Sequence, residues 1–244
     1  IHLFWLDSRQ GQETTLYHAP IDPQGDIVST PHQVPHDGSA IAGYAITQVM
    51  ADALDLFWSD GSQPSARLYH ARMPLRNQDG VHGQVMPAVE GAMPAAVADS
   101  EQRIHLVWHG TRPNQGDGIA YGRYDPLANS LSEPLWIATV PAGTLYPPEI
   151  GLDWQYAYVL WSQERRGGGG GRASAETHCR SLSLGQPGPV EDCQLDIPVT
   201  DRPRYAPTEG ELNYHSLAPL GAVGPEGLSD YSYMPYPVPG QRQE

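Results

Sequence analysis

The chain has 244 residues, 28 acidic against 14 basic side chains and a formal net charge of −14. Every basic residue is an arginine and none cluster. This excludes a nucleic-acid partner, whose phosphates require a cationic face, and docking on anionic lipid. No run reaches the roughly 18 apolar residues of a helical membrane span, so no direct span is expected.

In chain order, apolar runs end in tryptophan at Trp5, Trp58, Trp108 and Trp161, at intervals of 53, 50 and 53 residues. A period near 50 marks a repeated supersecondary unit. After each tryptophan come a polar loop and a second run: Leu16-Tyr17-His18-Ala19, Leu68-Tyr69-His70-Ala71, Ala120-Tyr121-Gly122-Arg123 and Thr177-His178-Cys179-Arg180. One full unit reads as strands over 44–50, 54–58, 67–73 and 81–89, separated by turn-formers such as Asp60-Gly61 and Asp79-Gly80. Proline (24), glycine (26) and a tyrosine count of 13 against two phenylalanines suit short strands and tight turns.

Four antiparallel strands per ~50 residues is the blade of an all-β propeller. Blades are expected over about 1–34, 43–89, 92–140 and 146–197, together a propeller region of 1–200. The first starts at its second strand, so an upstream segment carrying a signal or anchor is expected. The five glycines at 167–171 fall in the longest loop, where they supply flexibility and no side-chain chemistry. Residues 201–217 read as a degenerate blade or closing strand, because Tyr205 to Gly210 echoes Tyr146 to Gly151 and the run 211–215 follows. Residues 218–244 form a Pro/Gly/Tyr-rich tail.

These motifs resemble the sialidase-like (BNR-repeat) propellers. The carriers are Trp58-Ser59-Asp60, Tyr69-His70-Ala71-Arg72, and fourth-strand Ser-x-Pro steps at Ser29-Thr30-Pro31 and Ser132-Glu133-Pro134. The repeats are degenerate: Asp22-Pro23-Gln24-Gly25 and Asn77-Gln78-Asp79-Gly80 stand where a full Asp box would be. The resemblance implies the blade fold, and it raises Arg72, Arg123 and Arg180 as a carboxylate clamp. All three occupy one repeat column, which places them in equivalent inter-blade positions rather than around one ligand. A tyrosine nucleophile with acid–base carboxylates would also be needed; Tyr121, Glu149 and Asp153 are candidates, but no spacing selects them and no catalytic residue is assigned.

His18, His70 and His178 share another column, a blade apart, so no metal site or cofactor is expected. Cys179 and Cys193 face each other across a hairpin at a separation that a disulfide spans. A disulfide implies an extracytoplasmic location. Tyr231, Tyr233 and Tyr236 are candidate partner anchors. The sequence therefore points to a non-catalytic extracytoplasmic propeller serving as a binding or assembly module of a larger, membrane-associated complex, with other protein subunits as partners. The alternative is a carbohydrate-active propeller, a hydrolase or a glycan-binding module, with Trp136, Trp154 and loop tyrosines stacking on sugar rings.

Overall fold

The computed structural model describes residues 2–8, 13–34, 40–50, 52–62, 64–75, 84–140, 147–165, 174–185 and 190–193. The expected segments 201–217 and 218–244, with Tyr231, Tyr233 and Tyr236, lie outside the described residues.

All described regular structure is β, in four sheets met one after another along the chain. The first holds β1 (His2–Asp7), β2 (Thr15–Pro20) and β3 (His32–Gln33). The second is a four-stranded meander of β4 (Gly43–Met50), β5 (Ala53–Ser59), β6 (Arg67–Pro74) and β7 (Gln84–Glu90). The third runs β8 (Ala92–Ala98), β9 (Ile104–Arg112) and β10 (Gly116–Asp125), with its outer position shared by β11 (Ser130–Leu131) and β12 (Leu135–Thr139), both on β10. The fourth is β13 (Glu149–Leu152), β14 (Tyr156–Arg165), β15 (Ser174–Ser183) and β16 (Glu191–Asp192). Each sheet joins chain neighbours by antiparallel hairpins, the blade pattern that the period implies.

The cores lie between the sheets. One cluster joins Leu16, Val34 and Ile41 to Leu54, Leu56, Trp58 and Tyr69. The next joins Phe57, Leu68 and Met86 to Ile104, Leu106, Trp108 and Tyr124. A third joins Val107, Ile119, Tyr121 and Ile137 to Ala157, Val159, Trp161 and Leu182. Alternation along the second strands produces this: Trp58 and Leu56 face the blade before, and Phe57 faces the blade after. Successive sheets thus stack by their faces, as propeller blades do.

Trp58, Trp108 and Trp161 hold the predecessor-facing position, opposite Tyr69, Ala120 and His178, and Trp5 has the same register in the first sheet, opposite Tyr17. Trp5, Trp58 and Trp161 stack on those partners at 5.3–5.7 Å between ring centroids. Trp108 faces only Ala120, so it fills a slot floored by glycines: a Cβ on Gly91 would strike its indole, and one on Gly122 would crowd it at 3.3 Å. Truncating a fully buried tryptophan such as Trp58 or Trp108 costs about 3–5 kcal/mol.

The turns owe their shape to aspartates. Asp22 accepts the amides of Gln24 and Asp26, Asp99 those of Glu101 and Arg103, Asp125 those of Leu127 and Ala128, and Asp153 those of Gln155 and Tyr156. A short carboxylate bonding backbone two or three residues on is the Asx turn. Four of the 28 acidic side chains are thus spent closing turns.

Candidate functional site

Pairing registers decide which side chains share a face. The residue before each tryptophan lies opposite His18, His70, Tyr121 and Cys179. The histidine of the fourth sheet therefore leaves the expected column: His178 faces Trp161, and Cys179 takes the His70 position. The arginines shift likewise. Arg72 opposes Asp55 and Arg123 opposes His105, two equivalent places, while Arg180 opposes Val159. A one-residue slip turns a side chain to the other face of the sheet. Arg180 thus points toward the preceding blade and Arg72 and Arg123 toward the following one, so the three do not share one column.

Each arginine has a partner within its own blade. Arg72 forks onto the fully buried Asp55, Nε to Oδ1 and Nη2 to Oδ2, both at 3.2 Å. The same carboxylate takes His70 Nε2 at 2.8 Å, and His70 Nδ1 meets the Tyr124 hydroxyl of the next blade at 2.7 Å. Tyr124 also donates to Asn129 Oδ1 at 2.7 Å. Burial drives the Tyr124 phenol well above its ordinary range, with the Asp55 charge adding to it, so it stays a neutral donor. Arg180 pairs with Asp192 at 2.6 Å.

Arg123 donates to Tyr121, which meets His105 Nδ1 at 2.7 Å; His105 Nε2 reaches Asp99 at 3.1 Å, and Arg103 closes the chain on Asp99 at 2.7 Å. Burial lowers the His105 pKa against the pull of Asp99 and raises that of Tyr121. Burial alone would raise the Asp99 carboxyl, but the Arg103 amide and guanidinium and the His105 ring hold it below its usual value. A neutral imidazole donating to Asp99 and accepting from Tyr121 satisfies every member. Tyr121 and Asp153, two candidates for chemistry, thus act as a network link and a turn anchor.

Glu149 differs. It opens β13, the innermost strand of its blade; its side chain reaches solvent, yet desolvation by the surrounding protein raises its pKa. Glu149 is the single carboxyl on the innermost strands β4 (GYAITQVM), β8 (AMPAAVA) and β13 (EIGL).

The candidate aromatics separate cleanly. Trp136 packs against the core between the second and third blades. Trp154 sits in the β13–β14 turn at 76% exposure, the backbone around it fixed by Asp153. Asp153 Oδ2 also accepts the Tyr158 hydroxyl at 2.7 Å, and Tyr156, itself exposed, lies 6.2 Å from the Tyr158 ring. Tyr158 and Asp153 thus hold still a turn that presents an indole to water. The signal in the sequence was the Asp153-Trp154 pair, an Asx-turn former beside an indole.

Cys179 and Cys193 form a disulfide with Cα atoms 5.3 Å apart, tying the third strand of the fourth sheet to the residue after its fourth. Among the described residues no cluster of three His, Cys, Asp or Glu side chains is placed to hold a metal, and no helix is long and apolar enough to cross a membrane.

No family model and no curated protein matches the chain. Among solved structures it is similar to the GH43 protein BlXynB mutant (K247S) from Bacillus licheniformis, with 15% identity, a TM-score of 0.46, and coverage of 80% of this chain and 39% of that one. It is also similar to xylan β-1,4-xylosidase from Bacillus halodurans C-125 (15%, TM-score 0.47, covering 76% and 37%). An exo-1,5-α-L-arabinanase from a bovine ruminal metagenomic library matches at 12% and a TM-score of 0.45, covering 78% and 69%. The chain spans about two fifths of the length of the first two.

Proposed function

We propose that the protein is an extracytoplasmic glycan-binding propeller module, the non-hydrolytic form of the carbohydrate-active alternative. The observation that carries this is Trp154, an indole 76% exposed on a turn locked by Asp153. An indole face covers the apolar face of a pyranose, and a fixed turn spares the ordering cost that a mobile loop pays on binding. Bound sugar hydroxyls would find acceptors and donors at the same turn in the Tyr156 hydroxyl and the exposed Gln155. Glycoside hydrolysis uses two carboxyls about 5–9.5 Å apart, and among the described residues the innermost strands β4, β8 and β13 carry Glu149 alone. The Cys179–Cys193 bridge supports a location where disulfides persist.

The assembly reading rests on Tyr231, Tyr233 and Tyr236, outside the described residues, and takes second place. The test is titration with a panel of neutral and acidic oligosaccharides, followed by calorimetry and indole fluorescence, on the wild type and Trp154→Ala. Binding to at least one glycan, weakened at least tenfold in the variant at unchanged melting temperature, is the expected result. Binding indifferent to Trp154→Ala, or none across the panel, overturns the reading. Turnover of fluorogenic glycosides overturns its non-hydrolytic part.

A further inference from the structure

A cavity of about 440 Å³ lies beside the disulfide of the fourth sheet. Its walls are Trp161, Thr177, His178, Arg180, Asp192 and the Cys179–Cys193 bridge, brought together by the registers of β14, β15 and β16. The volume falls within the ~300–1,000 Å³ of small-ligand sites. Three features of the wall suit a ligand better than a packed core. Arg180 Nε meets Asp192 Oδ1 at 2.6 Å with the side chains 34% and 81% exposed, a pair too open to water to add much stability. A guanidinium has five N–H donors and a carboxylate two acceptor oxygens, so such a pair keeps both kinds of group to offer. His178 Nε2 is buried with no hydrogen-bond partner among the described residues, and Glu176 Oε1 stands 4.0 Å away, beyond bonding range. The imidazole also stacks on the Trp161 indole at 5.3 Å and 21°, where a tyrosine faces the tryptophan in the first two sheets.

We propose that this cavity binds a neutral sugar residue through adjacent hydroxyls, as a second glycan site on the blade that carries Trp154. It shares the ligand class of the Trp154 reading and uses none of that turn's residues. Leu184 donates to the Gln155 carbonyl at that turn, and Arg180 lies four residues back along the chain, about 13 Å at strand spacing. Neighbouring hydroxyls donate and accept at once, which matches a guanidinium and a carboxylate side by side. The His178 ring adds a polar atom that a further hydroxyl would satisfy. An acidic sugar fits worse, because its carboxylate would compete with Asp192 for one arginine. Arg72 and Arg123 cannot join a clamp there, since they turn to the other face of their sheets and bond Asp55 and Tyr121.

The test is run on the whole chain in a Trp154→Ala background, so that the turn contributes nothing. Methyl glycosides of glucose, galactose, mannose and xylose, with that of glucuronic acid as the acidic counterpart, are titrated with two-dimensional NMR detection. At least one neutral glycoside is expected to bind, moving the Arg180 and His178 side-chain signals, at least about tenfold more tightly than the glucuronide. Arg180→Met keeps the stem and removes the donors. Added to the background, it is expected to weaken binding at least about tenfold at unchanged melting temperature. Should that variant not fold, Asp192→Ala, on an exposed side chain, is expected to give the same loss. No binding by any neutral glycoside overturns the proposal and leaves the Trp154 reading to its own titration. Binding indifferent to these substitutions, or a glucuronide held as tightly as the neutral sugars, overturns it too. Binding present in the wild type and lost in Trp154→Ala assigns the sugar to the turn and overturns the cavity site alone.

Discussion

Replacing Tyr124 by phenylalanine isolates one oxygen atom at the junction of the second and third blades. The ring is 1% exposed and meets Phe57 edge-on at 5.3 Å, a contact that phenylalanine keeps, so no cavity of consequence opens. What is lost is the hydroxyl between His70 Nδ1 and Asn129 Oδ1, each at 2.7 Å. His70 is buried, and a buried polar atom left unpaired costs about 1–3 kcal/mol; Asn129 is only partly buried and recovers most of its loss from water. The sum is about 2–3 kcal/mol, or about 4–12 °C in Tm at 2–4 °C per kcal/mol for a chain of this size. Chemical denaturation followed by tryptophan fluorescence, for Tyr124→Phe, His70→Leu and the double variant, closes a thermodynamic cycle. A coupling of about 1–2 kcal/mol is expected, since the His70→Leu background has no orphan to create. Additivity within about 0.3 kcal/mol would refute the claim that this bond ties the blades.

Two further outcomes follow from the described geometry. The folded-state pKa of Glu149 is raised, so the folded chain holds that proton more tightly than the unfolded chain. Its ionisation therefore removes stability as pH rises above the unfolded value near 4.3. Glu149→Gln should melt higher than wild type at pH 7 and equal to it near pH 3.5; a difference that ignores pH in a melting series would contradict this. The Cys179–Cys193 bridge closes a separation of 14 residues, which corresponds to about 3 kcal/mol from the unfolded chain's lost freedom. Calorimetry with and without reductant should show a fall of about 6–12 °C, and an unmoved transition would show that the bridge adds nothing.

The blades were legible because the repeated tryptophan is a packing position, so its period reports the stacking directly. The sialidase-like resemblance reaches as far as the antiparallel blade. Its arginine column was misread at Arg180, because the 167–171 glycine insertion lets the fourth motif be aligned one residue out, and one residue reverses the face. The Asp55–His70–Tyr124 link was illegible for another reason: Tyr124 lies 54 residues from His70, and only the stacking of two sheets brings them together. Leu182 faces the preceding blade in the fourth sheet as Tyr124 does in the third, so the repeat gives no rule for that bond. Trp136 and Trp154 were indistinguishable as letters and differ because one stands on a strand and the other on a turn tip.

Because every core among the described residues lies between two sheets, no described blade has an interior of its own. On the ribosome, the first described cluster cannot close until Met73 has left the exit tunnel, for it draws on residues from Leu16 to Met73. Each later blade then condenses on a surface already built, adding its Trp108 or Trp161 to a waiting face. The nascent chain would therefore gain order in steps one repeat long, each step lagging its own synthesis by the length of the next.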